Sequence, residues 1–178
     1  IEATCSAIYF FSRALIDAFA GLVPAVKPNV AFFERYRAKG IGLLEKITEH
    51  AQSKGLLVIA DAKRNDIGNT AQAYAEAYLG KVPILGGEPE PAFDVDAVTV
   101  NAYPGSDGVK PFLPYCNDGK GIFVLTRMSN PSAKELQDRA TTNHDSVITI
   151  AEVVADLTNE WGKGFIGAGV GGPKDLST

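Results

Sequence analysis

Apolar residues recur at helical spacing from the start of the chain. Ala7, Phe10, Phe11, Ala14, Leu15, Phe19 and Leu22 predict a first helix, which Gly21 stops. Leu22 to Val26 is short, apolar and partly β-branched, and predicts a buried strand ending near Lys27. A second helical pattern runs through Ile41, Leu44 and Ile47 to Ala51, and Gly55 closes it. Leu56-Leu57-Val58-Ile59-Ala60 is apolar at every position, as expected of a strand covered on both faces.

The alternation continues. A helix rich in alanine and tyrosine is predicted from about Asn69 to Leu79, followed by a loop with Gly86, Gly87, Pro89 and Pro91. Then come a strand at Ala97-Val98-Thr99-Val100, a short helix from Val109 to Tyr115, and a strand at Gly121-Ile122-Phe123-Val124-Leu125. A long helix, roughly Ser146 to Trp161, precedes the strand Gly164-Phe165-Ile166-Gly167-Ala168. Strands alternating with helices form parallel sheets, so the fold class is α/β. Five strands suit a doubly wound sheet, whereas a (β/α)₈ barrel needs eight and typically ~250 residues. Periodicity alone does not choose between them. The 178 residues suffice for one domain. They open directly in a helical pattern, so a further segment is expected before Ile1.

Composition narrows the function. The net charge of −4 gives no reason to expect nucleic acid or an anionic membrane as partner. No apolar run approaches the ~20 residues that span a bilayer, and Ile1-Glu2-Ala3-Thr4-Cys5 lacks the basic start of a signal peptide. Cys5 and Cys116, far apart in sequence, read as reduced thiols of a cytoplasmic protein. His50 and His144 show no ligand spacing, so no metal site is expected.

Polar residues gather where the predicted strands end. Lys27 ends the first and Asp61 the second, with Lys63 and Asp66 just beyond; Asn101 ends the third; Thr126, Arg127, Ser129 and Asn130 follow the fourth. Parallel α/β proteins keep their sites at the carboxyl ends of strands. Asp61 and Lys63 are two apart, so on an extended strand their side chains point the same way. Two lysines and two carboxylates of alternating sign form a nearly neutral cluster. A cationic lysine held in place is a proton donor, and a fixed carboxylate opposes a substrate anion. A structural ion-pair network at the sheet rim is the competing explanation, and four charges at consecutive strand ends favour a site.

The stretch Asp61-Ala62-Lys63-Arg64-Asn65-Asp66-Ile67-Gly68-Asn69-Thr70 resembles the D-x-K-x-x-D-I-x-x-T signature of orotidine 5′-monophosphate decarboxylases. Three further segments resemble the long-chain bacterial branch of that family: Val26 to Glu34, Thr99 to Gly105, and Phe123 to Pro131. Met128 and Asn65 depart from its usual threonine and glycine.

The resemblance implies a (β/α)₈ barrel of which this chain holds strands two to six, without the first strand and the last two. It also implies a homodimer, a nucleotide substrate, and neither metal nor organic cofactor. Lys27, Asp61 and Lys63 would belong to one subunit's site, while Asp66, Ile67 and Thr70 would reach into the partner's. Lys63 would protonate C6 of the pyrimidine as carbon dioxide leaves, and Asp61 would oppose the substrate carboxylate. Ser129 would bond the imide edge of the ring, and Asn101 is a further candidate for substrate binding. Residues that grip the phosphate would lie outside this chain.

The D-x-K-x-x-D core is shared with magnesium-dependent sugar-phosphate decarboxylases and hexulose-phosphate synthases, which carry an acidic residue where this chain has Lys27. A noncatalytic barrel that only binds nucleotide is the reading from another class. Arg64 is expected at the surface or in a salt bridge, Cys116 in packing, and Tyr103 at the site mouth or in loop packing. The Gly169-to-Gly172 run has the composition of a phosphate loop, and the resemblance implies instead that it marks the end of strand six.

Overall fold

The computed structural model describes residues 1–143, 146–164 and 168–171. Helix α1 (Glu2–Phe19) leads to strand β1 (Ala25–Val26), helices α2 (Ala31–Glu34) and α3 (Arg37–Ser53), and strand β2 (Leu57–Arg64). Helix α4 (Gly68–Tyr78) is followed by the short strands β3 (Lys81–Val82) and β4 (Glu90–Pro91), then by β5 (Ala97–Asn101). Two 3-10 turns and helix α5 (Leu113–Cys116) precede β6 (Gly121–Leu125). Strands β7 (Ala140–Asn143) and β8 (Ser146–Thr149), helix α6 (Ile150–Trp161) and strand β9 (Ala168–Gly171) complete the described chain. The main sheet has five strands in the order β1-β2-β5-β6-β9, and β1–β2 and β6–β9 pair in parallel. The predicted alternation and strand number are therefore present, and the fold is α/β.

Two compact units are described. The first comprises Ile1–Ala62 and Glu76–Val98. Its helices α1 and α3 bury Cys5 and Ile16 from one, and Leu43, Leu44, Ile47 and Ala51 from the other. Asp17 on α1 ties the same pair of helices at their ends. Its Oδ1 lies 3.0 Å from His50 Nε2 and 2.9 Å from Lys54 Nζ. The lysine hydrogen bond is the main reason that Asp17 titrates below the usual carboxylate range. The apolar stripe that predicted α1 is not its seated face: Phe10, Phe11, Leu15 and Phe19 are exposed.

The predicted strand from Leu22 shrinks to Ala25–Val26. Gly21 at φ 79° turns the chain, the N–H groups of Leu22 and Val23 return to Phe19 O, and Leu22 and Val23 stay exposed. Pro24 has no N–H for a sheet ladder, although its carbonyl accepts from Leu57 N–H. Conversely β2 outruns its apolar core, continuing through Asp61 and Lys63 to Arg64, and Leu57 at its start is exposed. Asp96 anchors that start: its Oδ2 accepts from Val58 N–H at 2.8 Å, and its own N–H donates to Val58 O. The proline- and glycine-bearing loop is a hairpin, with β3 and β4 paired antiparallel.

The second unit comprises Lys63–Ala75 and Thr99–Thr178. Val100, Val109, Phe112, Leu113, Cys116, Ile122 and Val124 are among its buried residues. Both Cys116 and, in the first unit, Cys5 are free and buried, and burial pushes the Cys116 thiol above its ordinary pKa.

The long helix predicted from Ser146 begins at Ile150 instead. Ser146–Thr149 pairs antiparallel with Ala140–Asn143. β-Branched Thr141, Thr142, Val147, Ile148 and Thr149 favour extended backbone there. The helix start is set by a capping box, in which Thr149 Oγ1 accepts from Glu152 N–H and the Glu152 carboxylate accepts from Thr149 N–H. The Thr149 N–H, and after it the Thr149 hydroxyl, donate to the Glu152 carboxylate and hold it below its usual range. The last predicted strand falls partly on residues 165–167, outside the described residues. Gly169–Gly171 of the glycine run lies in β9, and Gly172 is also outside.

Candidate active site

In the first unit, Lys27 and Asp61 meet. Lys27 Nζ donates to Asp61 Oδ2 at 2.9 Å. The two residues are held by backbone as well as charge: Asp61 N–H donates to Pro28 O, and Val30 N–H donates to Asp61 O. Asn29 Nδ2 adds a longer contact to the same carboxylate oxygen, 3.4 Å. Asp61 is 8% exposed, whereas Lys27 is 55% exposed. The arrangement is a fixed, buried anion with a cation set against it from the solvent side.

In the second unit, Lys63 departs from the strand rule. Its φ is +51°, in the left-handed region that a residue with a Cβ enters at a cost of order 1–3 kcal/mol. Alternation along an extended strand therefore stops at Ala62, and the expectation that Asp61 and Lys63 point alike by strand geometry is corrected. The Lys63 N–H donates to Thr99 Oγ1 at 2.9 Å. Thr99 is 6% exposed. Lys63 lines a cavity of about 340 Å³ together with Asn101, Tyr103, Thr126, Met128 and Gln137.

The loop after β6 is fastened at both ends of a short stretch. Arg127 Nε and Nη2 donate to the two carboxylate oxygens of Asp138, at 2.7 and 2.9 Å. Met128 N–H donates to Gln137 Oε1. Ser129 follows immediately and is exposed. Arg127 holds the Asp138 carboxyl below its ordinary pKa, chiefly through the hydrogen bond and only partly opposed by burial.

The other predicted residues are placed as follows. Asp66, Ile67 and Thr70 lie in a run of exposed residues from Asn65 to Thr70, at the start of α4. Asp66 Oδ1 accepts from Ile67 N–H at 2.8 Å. Asn101 Oδ1 accepts from Tyr103 N–H at 2.9 Å, so this side chain shapes the loop as well as lining the cavity. Tyr103 is 81% exposed and lines the same cavity. Arg64, expected at the surface or in a salt bridge, is half-buried, with its guanidinium over the Tyr74 ring at 5.4 Å. His50 meets Asp17, and His144 lies outside the described residues. Among the described residues, no group of three or more His, Cys, Asp or Glu is arranged to hold a metal ion. Nor is any helix among them long and apolar enough to cross a membrane.

Sequence reasoning missed Thr99, Gln137 and Asp138. Thr99 was legible only as a hydroxyl inside the apolar run Val98 to Val100, and the other two sit in a polar stretch without periodicity.

The sequence model of the Orotidine 5′-phosphate decarboxylase / HUMPS family matches residues 11–176. The chain belongs to this family. An orotidine 5′-phosphate decarboxylase of Caldicellulosiruptor saccharolyticus is 44% identical over 161 residues, covering 90% of this chain and 51% of the relative. One of Rhodopirellula baltica is 42% identical over 176 residues, covering 96% and 57%. The solved structure of Leishmania donovani OMP decarboxylase superposes with a TM-score of 0.74 at 31% identity, covering 89% of this chain and 56% of that one. The chain thus spans about half the length of the curated relatives it matches, and its α/β fold is part of the family's (β/α)₈ barrel.

Proposed function

We propose that the full-length protein decarboxylates orotidine 5′-monophosphate to uridine 5′-monophosphate and carbon dioxide, in pyrimidine biosynthesis, without a metal or organic cofactor. The chain supplies strands two to six of a single barrel domain. The protein works as a cytoplasmic homodimer, and Asp66, Ile67 and Thr70 complete the partner's site. Their exposure on one stretch supports that last point.

The observation that carries the reading is the Lys27–Asp61 pair at 2.9 Å, two residues before Lys63 on the same strand. A lysine stands where the magnesium-dependent relatives need an acid, and it is engaged with the carboxylate that opposes the leaving group.

The chemistry asks for such a set. Breaking the C6–carboxyl bond releases carbon dioxide and leaves the electron pair on a vinyl carbon of the pyrimidine, where no adjacent carbonyl delocalises it in the ordinary way. The Lys63 ammonium stabilises that charge as it develops and then transfers a proton to C6, becoming neutral. Asp61, buried and fixed, faces the substrate carboxylate and loses that repulsion as the carboxylate departs. Ser129 and Asn101 hold the base. Binding of the phosphate supplies positioning energy from a distance.

Loss of substrate absorbance by the full-length protein in EDTA tests the reading. Turnover should persist, and Lys63→Ala should remove nearly all of it. Abolition by the chelator with recovery on adding magnesium would transfer the protein to the sugar-phosphate class. Turnover by Lys63→Ala within tenfold of wild type would remove the lysine from the role of acid.

A further inference from the structure

We infer that Thr99 is a positioning residue for the proton donor: its hydroxyl holds Lys63 in the left-handed backbone conformation that aims the ammonium. This deepens the decarboxylase reading and rests on it. Three observations meet here. Lys63, the last residue but one of β2 (Leu57–Arg64), has φ +51°. Its N–H donates to Thr99 Oγ1 at 2.9 Å. Thr99 is 6% exposed, in a strand whose Ala97, Val98 and Val100 are also buried.

A residue with a Cβ does not keep a left-handed φ unless its surroundings over-determine it. The neighbouring strand offers a hydroxyl at the height of the Lys63 amide, where regular parallel pairing would offer a carbonyl to an extended residue. The hydroxyl satisfies the N–H after the chain has turned out of the pleat. Valine at 99 would preserve shape and burial but leave the Lys63 N–H, part-buried, without this acceptor. The lysine backbone would then relax toward the extended region, which swings Cβ and with it the amine.

Transition-state stabilisation by a fixed charge is sensitive to about 1 Å of misplacement, which costs about 100-fold in rate. Thr99→Val in the full-length protein should therefore lower kcat about 10- to 100-fold and leave KM within a few-fold of wild type. Thr99→Ser, which keeps the acceptor, should recover most of kcat. In a Lys63→Ala background, Thr99→Val should add no further loss, because the group it positions is gone.

Equal falls in kcat and affinity, failure of serine to rescue, or additive losses in the double variant would each reduce Thr99 to a packing residue and overturn the inference. A second measurement separates this outcome from failure of the decarboxylase reading. Amide hydrogen exchange at Lys63 should speed up in Thr99→Val whether or not wild type turns over substrate. Unchanged exchange overturns the inference, while absent wild-type turnover overturns the decarboxylase reading.

Discussion

Arg127 and Asp138 lock together through two parallel hydrogen bonds of 2.7 and 2.9 Å, closing a loop that starts just before Ser129. A fork of this kind fixes orientation as well as distance. With Gln137 holding Met128 N–H, the two residues preceding Ser129 are each tied to one of two consecutive residues. Asp138→Asn keeps the size but not the charge. It should weaken substrate binding, raising KM about tenfold for about one lost hydrogen bond's worth of positioning. Steady-state kinetics of full-length Asp138→Asn and Gln137→Ala check it; unaltered KM in both would show that Ser129 is placed without the fork.

Acid should loosen the surface clips before the core. Asp17, Asp138, Glu2 and Glu152 all titrate below the ordinary carboxylate values, each first of all because of a hydrogen bond: to Lys54, to Arg127, to Lys39 and to the Thr149 backbone. A depressed folded-state pKa stabilises above the unfolded value and ceases to do so as pH falls through the folded one. Thermal stability should therefore be insensitive to these groups above the usual carboxylate range of about 4 and decline below it. Added salt should shrink the decline, since the groups face water. A melting series from neutral to acid pH in wild type and Asp17→Asn tests this. The variant should show the shallower acid slope, and parallel curves would remove Asp17 from the account.

Gly40 is a packing requirement rather than a turn. A Cβ there would lie 1.9 Å from Phe33 O and 2.9 Å from Tyr36 Cβ, and backbone cannot move aside as a flexible side-chain end can. Gly40→Ala should cost at least about 1–3 kcal/mol, despite alanine's better helix propensity. Denaturant unfolding measures it. A variant as stable as wild type would mean that α2 and α3 separate more easily than this contact implies.

The shared site can be tested by mixing. Full-length Lys63→Ala and Asp66→Asn homodimers should each be nearly inactive. A heterodimer then contains one site with Lys63 from one chain and Asp66 from the other, so subunit exchange should restore activity up to half the wild-type rate of that species. If Asp66 serves its own chain, both heterodimer sites are damaged and nothing returns.

Much of this was readable in advance. Strands β2, β5 and β6 and their alternation with helices followed from apolar runs and periodicity, because burial on both strand faces leaves little freedom of composition. Asn101 ends β5 and Lys27 follows β1, as the pattern of strand ends predicts, whereas Asp61 lies inside β2 rather than at its end. Three things were not legible. Helical spacing in α1 said that a helix forms but not which face it seats, and Cys5 and Ile16 took the place expected of the phenylalanines. The extended stretch at Ser146–Thr149 lies next to the apolar pattern of α6, which does not show where the helix begins; the capping box Thr149-x-x-Glu152 is the signal that marks the start. The left-handed turn at Lys63 had no signature at all, since lysine is not a residue that announces positive φ. It depends on an oxygen 36 positions later in the chain, and only tertiary structure brings the two together.

The β3–β4 hairpin offers a place to lengthen the chain. From Pro83 to Glu90 every residue is exposed, and Leu85 at its tip touches nothing that shields it from water. None of the candidate site residues lies between Lys81 and Pro91. Each doubling of a flexible loop costs only about 0.6 kcal/mol, so a peptide epitope or a dye-bearing cysteine inserted after Leu85 should leave both folding and turnover intact. The same tip is then a handle for attaching the protein to a surface, or for reporting on its motions, at a point the chemistry does not use.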